Sequence, residues 1–295
     1  MNFSLNSLSF AQRLLFITAV PVVGLTAFTL VILFDHIAET RELNSEIESV
    51  AELSELSAQL ANTIHEWQKE RGRSAGFIGS GGTKFSSEIR SQHESTDNLM
   101  ADLEEIVHSH DFSKYGGEFQ SRIDRGKTLM SDIEEWRSQI LKLEVPASKA
   151  VGYYTSMINN YLDLIESIPQ LTDHSEISLL VVSYAKFLRA KENMGIERAV
   201  LSNAFGADAF KGDFFIRYCT VIANQKSYLY AFKAFAKPEH IAFYQETVRG
   251  PQVDKVAAWE KLAFDKAEAG GFGVDPSAWF AEITGKIDLM KEVED

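Results

Sequence analysis

The chain has 295 residues, of which 45% are hydrophobic and 24% are charged, a composition that can bury a large core. Its formal net charge of −13 argues against nucleic acid as a partner, because neutralising phosphates requires a basic surface. Cys219 is the single cysteine, which excludes an intrachain disulfide and a zinc site built on cysteine pairs.

Near the N-terminus, residues 14–34 form an uncharged stretch of 21 residues, long enough to span a bilayer. An arginine precedes the stretch and an acidic segment follows it, so residues 1–13 are predicted to be cytoplasmic and residues 35–295 extracytoplasmic. A cleaved signal peptide is the alternative, but no small-residue cleavage site follows Phe34. We therefore expect a transmembrane helix over residues 14–34, in contact with membrane lipid.

The rest of the chain carries apolar residues at helical spacing, and no segment alternates long enough with period two to predict a strand. A first helix ends at the glycine-rich run that begins at Gly79. The last helix opens with Asp275 as N-cap and Pro276 at its first position. Between them, helices are predicted over residues 85–109, 117–143, 147–168, 174–205, 208–236, 238–249 and 252–268.

The helix over 174–205 is apolar on more than one side, which predicts a central position. So many helices pack most naturally as two bundles that share this helix. We expect an all-α protein, with the N-terminal transmembrane helix followed by a two-bundle sensor domain that resembles four-helix bundles.

Two helical stripes contain cations where the spacing predicts apolar side chains. Arg71 continues the buried stripe of the first helix, and Lys191 and Arg198 lie two turns apart on one face of the 174–205 helix. A charge in a core is costly unless it is paired. Internal ion pairs with nearby glutamates are one interpretation, for which the candidates are Glu70, Glu192 and Glu197. The other is an anion from outside, since guanidinium suits planar oxyanions.

Two segments resemble the signatures of a known family. Residues 68–77, QKERGRSAGF, resemble the E-R-G-x-S motif of the NIT domain, the nitrate- and nitrite-sensing domain of bacterial transmembrane receptors such as methyl-accepting chemotaxis proteins. Residues 191–199, KENMGIERA, are similar to its second signature, K-E-x-x-G-x-E-R-A. Residues 279–294 resemble its final helix. The resemblance covers about residues 45–295 and implies an inner-membrane receptor, usually homodimeric, with a periplasmic domain that binds nitrate or nitrite between its bundles.

The resemblance makes Arg71 and Arg198, one in each motif, the predicted anion ligands. Lys191 is added because of its stripe position, and Arg249 because it lies in the late helical region, although no motif contains it. No metal, cofactor or enzymatic activity is expected. We therefore predict a membrane receptor that binds nitrate or nitrite and passes a conformational signal. The alternatives are a receptor for another small anion such as a carboxylate, a membrane-anchored dimerisation scaffold whose arginines pair with glutamates, or an enzyme.

Overall fold

The computed structural model describes residues 9–171 and 175–295. Within this part of the chain the regular elements are helices, joined by turns and loops, and no strand is present. This confirms the predicted all-α fold class. Short 3₁₀ turns lie at Phe112–Tyr115 and Ile168–Gln170. The α-helices are α1 (Phe10–Gly79), α2 (Glu88–Ser109), α3 (Gly117–Ser131), α4 (Ile133–Leu141), α5 (Ala147–Ser167), α6 (Ser175–Gly206), α7 (Phe214–Phe235), α8 (Pro238–Thr247), α9 (Pro251–Asp265) and α10 (Pro276–Glu294).

The chain divides into two compact units, Met1–Glu52 and Leu53–Asp295. In the first unit, the uncharged residues 14–34 are helical, and their described side chains are exposed. Among the described helices, α1 alone is long and apolar enough to cross a membrane, with a mean hydropathy of 1.9 in its apolar window. An N-terminal signal sequence passes the same test. The predicted boundaries at 13/14 and 34/35 stay predictions, and residues 1–8 lie outside the described part.

The first bundle of the second unit packs the C-terminal part of α1 with α2, α3, α4 and α5. The apolar stripe of α1 is its core, and Leu56, Ile64 and Trp67 are almost fully buried. Trp67 stacks on Tyr161 of α5, with ring centroids 5.2 Å apart. Full burial of one large apolar side chain contributes about 1.5–3 kcal/mol, so this stripe is the main reason why α1 has a fixed face.

The second bundle consists of α6 to α10, and its core contains Phe205 and Trp279, whose rings meet edge to face at 5.4 Å. Helix α6 belongs to both bundles. Its adjacent residues Phe187 and Leu188 lie in the second and first cores, respectively. The structure thus confirms the two bundles and the central helix that the sequence predicts.

The helix predicted over 117–143 is interrupted at Asp132, which separates α3 from α4. The hydroxyl of Tyr153 on α5 donates to the carbonyl of Leu129 at 2.6 Å. In a continuous helix that carbonyl would accept from the amide of Ile133. A side chain that occupies a backbone acceptor disturbs the helical ladder, so the interruption comes from a contact between helices.

Helix α7 begins at Phe214 and not at the predicted residue 208. Asp208 has a positive φ of 53°, which is unfavourable inside a helix. Its backbone carbonyl accepts from the amide of Gly271, and its Oδ1 accepts from the amide of Gly273, both at 2.9 Å. These bonds hold the segment after α6 against the loop before α10.

Candidate functional site

A cavity of about 760 Å³ lies between the two bundles. The C-terminal end of α1 with the loop after it, the C-terminal part of α6 and the first turns of α10 form most of its wall, and α5 contributes Val151 and Thr155. Two buried arginines line it, Arg71 from α1 and Arg198 from α6. Much of the remaining wall is small or apolar, including Gly72, Ala75, Gly76, Phe85, Gly195, Ile196, Ala199 and Phe280.

Arg71 is only 5% exposed and is held by an internal carboxylate. Its Nη1 and Nη2 donate to the two carboxylate oxygens of Glu192 at 2.6 and 3.0 Å, and Nη1 also donates to Thr155 Oγ1 at 3.0 Å. A guanidinium has five N–H donors. Three of the five N–H groups therefore donate to these partners, two of them at the end of the guanidinium (the end-on pair). Within the described residues the Nε–H and one Nη2–H, which lie along one side of the guanidinium, remain as a side-on pair of donors.

Arg198 is 8% exposed and forms no salt bridge with any residue that the structure describes. Its Nη1 donates to Thr284 Oγ1 at 3.0 Å, and its guanidinium lies 4.7 Å from the ring centroid of Phe280. Burial, and next the positive charge of Arg71, lower the pKa of Arg198 to about 10. Arg198 therefore carries its charge at neutral pH in a place where that charge is poorly compensated.

Each arginine lies against a glycine of the helix that carries the other arginine. A Cβ atom built on Gly72 would lie 3.1 Å from Arg198 Nη2, and one built on Gly195 would lie 3.3 Å from Arg71 Nη2. Side chains at these two positions would crowd the guanidinium groups. The glycines of the two sequence motifs therefore make the room in which the arginines approach each other.

Aromatic rings form another part of the wall. Phe85, in the loop after α1, has a positive φ of 64°, an unusual conformation for a bulky residue. A Cβ atom on Gly76 would lie 2.6 Å from the Phe85 ring, so glycine is needed there. Phe85 and Phe280 of α10 lie 6.4 Å apart across the cavity. A strained backbone thus brings the two bundles into aromatic contact next to the arginines.

The sequence and the fold of this chain are similar to those of known proteins. Residues 62–295 match the NIT family, which is described as nitrate and nitrite sensing. The chain belongs to the NIT family. It is 22% identical over 267 residues to the nitrate regulatory protein of Klebsiella oxytoca, a match that covers 88% of this chain and 65% of that protein. The structure of the NasR transcription antiterminator has the same fold, with a TM-score of 0.79 and 21% identity over 89% of this chain and 71% of that chain.

These relatives correct the predicted function and location. We predicted a transmembrane receptor of the chemotaxis type in the inner membrane with a periplasmic sensor, but the relatives are a regulatory protein and a transcription antiterminator. The prediction rested on the uncharged residues 14–34, which lie outside the matched residues 62–295. Residues 14–34 suggested the membrane location and the family resemblance suggested a receptor, but the NIT motifs themselves do not specify a compartment.

The exclusion of nucleic acid as a partner is also wrong, since a chain with this fold is a transcription antiterminator. That exclusion rested on the net charge of −13, which is a sum over the whole chain. A sum of this kind does not describe any one face of the molecule. The expected homodimer stays a prediction.

The four predicted ligands of the NIT domain lie in different places. Arg71 and Arg198 line the cavity together, whereas Lys191 and Arg249 do not line it. Lys191 is almost fully buried one turn before Gly195, and its ammonium forms a salt bridge with Glu294 of α10. Arg249 is exposed in the loop between α8 and α9. The stripe placed Lys191 on a buried face correctly but did not show which neighbour it meets there.

Other residues of the site were not predicted from the sequence. Arg217 of α7 and Lys84 of the loop after α1 line the cavity and are exposed, and Thr155 and Thr284 support the two arginines. Their residue types are common on helix surfaces, and no spacing distinguishes them. Of the three glutamates considered as internal partners, Glu192 alone forms a salt bridge with a predicted ligand, Arg71. Glu70 pairs with Arg137 instead, and Glu197 accepts from Gln225.

Proposed function

We propose that this NIT domain binds nitrate or nitrite in the cavity between its bundles and acts as the sensor of a regulatory protein. The observation that carries the proposal is Arg198, a buried guanidinium without a salt bridge to any described residue, beside the already paired Arg71. An anion from solvent would supply the missing negative charge. Nitrate is planar and matches the donor geometry of a guanidinium. The name of the Klebsiella oxytoca relative supports nitrate as the ligand.

The proposed binding involves no chemical change in the anion. Arg198 stays protonated at neutral pH, because its pKa of about 10 is still well above 7. A guanidinium is a hydrogen-bond donor without an acceptor. A group that stays protonated does not serve as a general base, and the two arginines act by attraction and hydrogen bonding. The proposed function is therefore recognition and not catalysis.

Regulation would follow from the position of the anion. Arg71 belongs to the first bundle, whereas Arg198 contacts Thr284 and Phe280 of α10 in the second bundle. An anion bound to both guanidinium groups would tie the two bundles together. Binding changes the conformation only to the extent that the anion prefers one arrangement over the other. Coupling energies of about 1–3 kcal/mol are typical for such sites.

The first prediction is that nitrate stabilises the full chain against thermal unfolding. A ligand that binds only the folded state adds about 2.7 kcal/mol at a hundredfold excess over Kd. The measurement is the melting temperature in nitrate, in nitrite and in chloride at matched ionic strength. If all three salts shift the melting temperature equally, the effect is screening of the net charge of −13 and the proposal fails.

Variants at Arg198 distinguish a ligand site from a structural one. Arg198→Ala removes a poorly compensated cation, so we expect the nitrate effect to disappear with little loss of stability. Arg198→Lys keeps the charge without the planar fork and should weaken nitrate binding while the protein still folds. Arg71→Ala is the contrasting variant, because it leaves the buried Glu192 unpaired and should cost about 3–5 kcal/mol. An undiminished nitrate shift in folded Arg198→Ala would contradict the proposal.

A further inference from the structure

A carboxylate, Glu192, lies directly against one arginine of the proposed anion site, which is an unexpected place for a negative charge. Glu192 is 2% exposed and does not line the cavity. Its oxygens accept from Nη1 and Nη2 of Arg71, and Oε2 also accepts from Gln68 Nε2 at 2.9 Å. Glu192 therefore holds Arg71 from the protein side, while Arg71 still borders the cavity. A site built only to attract anions would not place a negative charge there.

The buried charges of the site add up to one positive charge. Arg71 and Arg198 contribute two positive charges and Glu192 contributes one negative charge, and all three are less than 9% exposed. The other charged groups near the site are more exposed. Lys84 and Arg217 line the cavity but are exposed, as is Asp288, and Arg73 is half-buried. Solvent screens these groups more strongly than the buried three, so the buried set dominates the charge of the site. A single monovalent anion would neutralise the buried set.

We propose that Glu192 sets the charge of this site and thereby restricts it to monovalent anions, an inference that rests on the proposed function. A monoanion leaves the buried groups neutral in sum, whereas a dianion leaves one uncompensated negative charge among them. The geometry is compatible with this role. Glu192 occupies the end-on pair of Arg71 donors, and the side-on pair, Nε–H and one Nη2–H, remains for a second planar anion.

Gly195 supports the same assignment. A Cβ atom there would lie 3.3 Å from Arg71 Nη2, the atom that both donor pairs share. Glycine at this position keeps the neighbourhood of the side-on pair open, although the end-on pair is already filled by Glu192. Arg71 is thus arranged to hold two planar oxyanions at once, one of them part of the protein. Glu192 acts as a specificity-determining residue without touching the ligand.

The test compares nitrate with sulfate in variants of the full chain. Glu192→Gln removes the negative charge and keeps the side-chain shape, and Gln68→Lys adds a positive charge beside an intact Glu192. Titration calorimetry at fixed ionic strength gives the affinity of each variant for both anions. We expect the parent to bind nitrate and not sulfate, and the nitrate-to-sulfate affinity ratio to fall by about tenfold or more in both variants. Glu192→Asp, which keeps the charge, should retain the preference of the parent.

Glu118→Gln is the matched control, because it removes one exposed negative charge on α3, away from the cavity. It should leave the ratio unchanged. If Glu192→Gln does not fold, Gln68→Lys decides the outcome, since it leaves the Arg71–Glu192 pair in place. If the folded variants keep the affinity ratio of the parent, or bind neither anion, the role of Glu192 is overturned while the proposed function stands. A parent that binds no nitrate overturns the proposed function and the inference with it.

Discussion

Gly72 and Gly195 determine how close the two buried arginines of the cavity, Arg71 and Arg198, can come. Each lies within a helix, where glycine is unfavourable by roughly 0.5–1 kcal/mol relative to alanine. A Cβ atom built on Gly72 or Gly195 would lie 3.1 or 3.3 Å, respectively, from a guanidinium nitrogen of the opposite helix. Glycine at both positions therefore lowers the stability of the helix but leaves room for the guanidinium group of the opposite helix. Glycines that lower helix stability to accommodate buried guanidinium groups are more typical of a binding site than of an apolar core.

Gly72→Ala separates these two effects. Alanine raises helix propensity, so the free energy of unfolding should stay constant or rise by up to about 1 kcal/mol. Its Cβ would lie 3.1 Å from Arg198 Nη2 and would displace the guanidinium, so nitrate affinity should fall by about tenfold. Denaturant unfolding and nitrate titration of the same preparation measure both quantities.

The control for this variant is Gly152→Ala on α5, where a Cβ atom would meet nothing within 4 Å. It offers a similar gain in helix propensity without a neighbouring guanidinium. If Gly152→Ala and Gly72→Ala bind nitrate equally well, Gly72 has no role in the site.

At the scale of the helices, α10 is attached at both ends. Asp275 caps its first turn by accepting from the amides of Ser277 and Ala278, and this turn borders the cavity. Near its C-terminal end, Glu294 forms a salt bridge with Lys191 of α6, where both side chains are almost fully buried. Burial lowers the pKa of Lys191, and the charge of Glu294 opposes that shift. This pair is a structural link between α6 and α10.

The corresponding prediction concerns Lys191, which the sequence placed among the ligands. Lys191→Met removes one of the two ammonium partners of the buried Glu294, which keeps Lys291, and should lower the free energy of unfolding by about 1–3 kcal/mol. Since Lys191 does not line the cavity, the folded fraction should keep its nitrate affinity. The double variant Lys191→Met/Glu294→Leu removes both charges and should be more stable than either single variant. Loss of nitrate binding in the double variant would return Lys191 to the ligand set.

At the scale of the whole molecule, the two bundles each bury a glutamate, Glu70 in the first and Glu197 in the second, and the pKa values of the two are shifted in opposite directions. Burial would raise the pKa of Glu70 in the first bundle, but hydrogen bonds and charge from Arg137 lower it below its usual range. In the second bundle, burial, and next the charge of Glu260, raise the pKa of Glu197 from 4.5 to about 8. Lys286 bonds to Glu260, and Gln225 donates to Glu197 at 2.7 Å. The stability of the second bundle should therefore depend on protonation.

We expect the free energy of unfolding to fall as the pH rises, because the buried Glu197 side chain is stable in its protonated form. The folded protein keeps this proton up to about pH 8, whereas the unfolded chain loses it above about pH 4.5. Its contribution is therefore complete below the unfolded pKa and is lost as the pH rises through the folded pKa. Glu197→Gln should flatten the dependence of the unfolding free energy between about pH 5 and about pH 8. Denaturant curves of the variant and the parent across this range should differ in slope; parallel curves would show that Glu197 does not titrate there.

The sequence by itself determined the helices and the position of the functional motifs. Local signals were sufficient for this: the glycine-rich run predicted the end of α1 at Gly79, the Asp-Pro pair predicted the cap of α10 at Asp275, and the apolar pattern predicted the central position of α6. It also placed Arg71 and Arg198 on buried faces, where the structure has them. Helical periodicity succeeds here because the face of a helix follows from residue spacing alone.

Only the tertiary structure decided which charges meet. Glu192 pairs with Arg71, Glu294 pairs with Lys191, and Arg198 keeps no salt bridge within the described residues. Tyr153 likewise interrupts a helix that the sequence predicts as continuous. Periodicity gives the face of a helix but not the neighbour that this face meets, because the partners lie far apart in the chain and depend on how the helices pack. The internal partner of each buried arginine therefore followed only from the packed bundles.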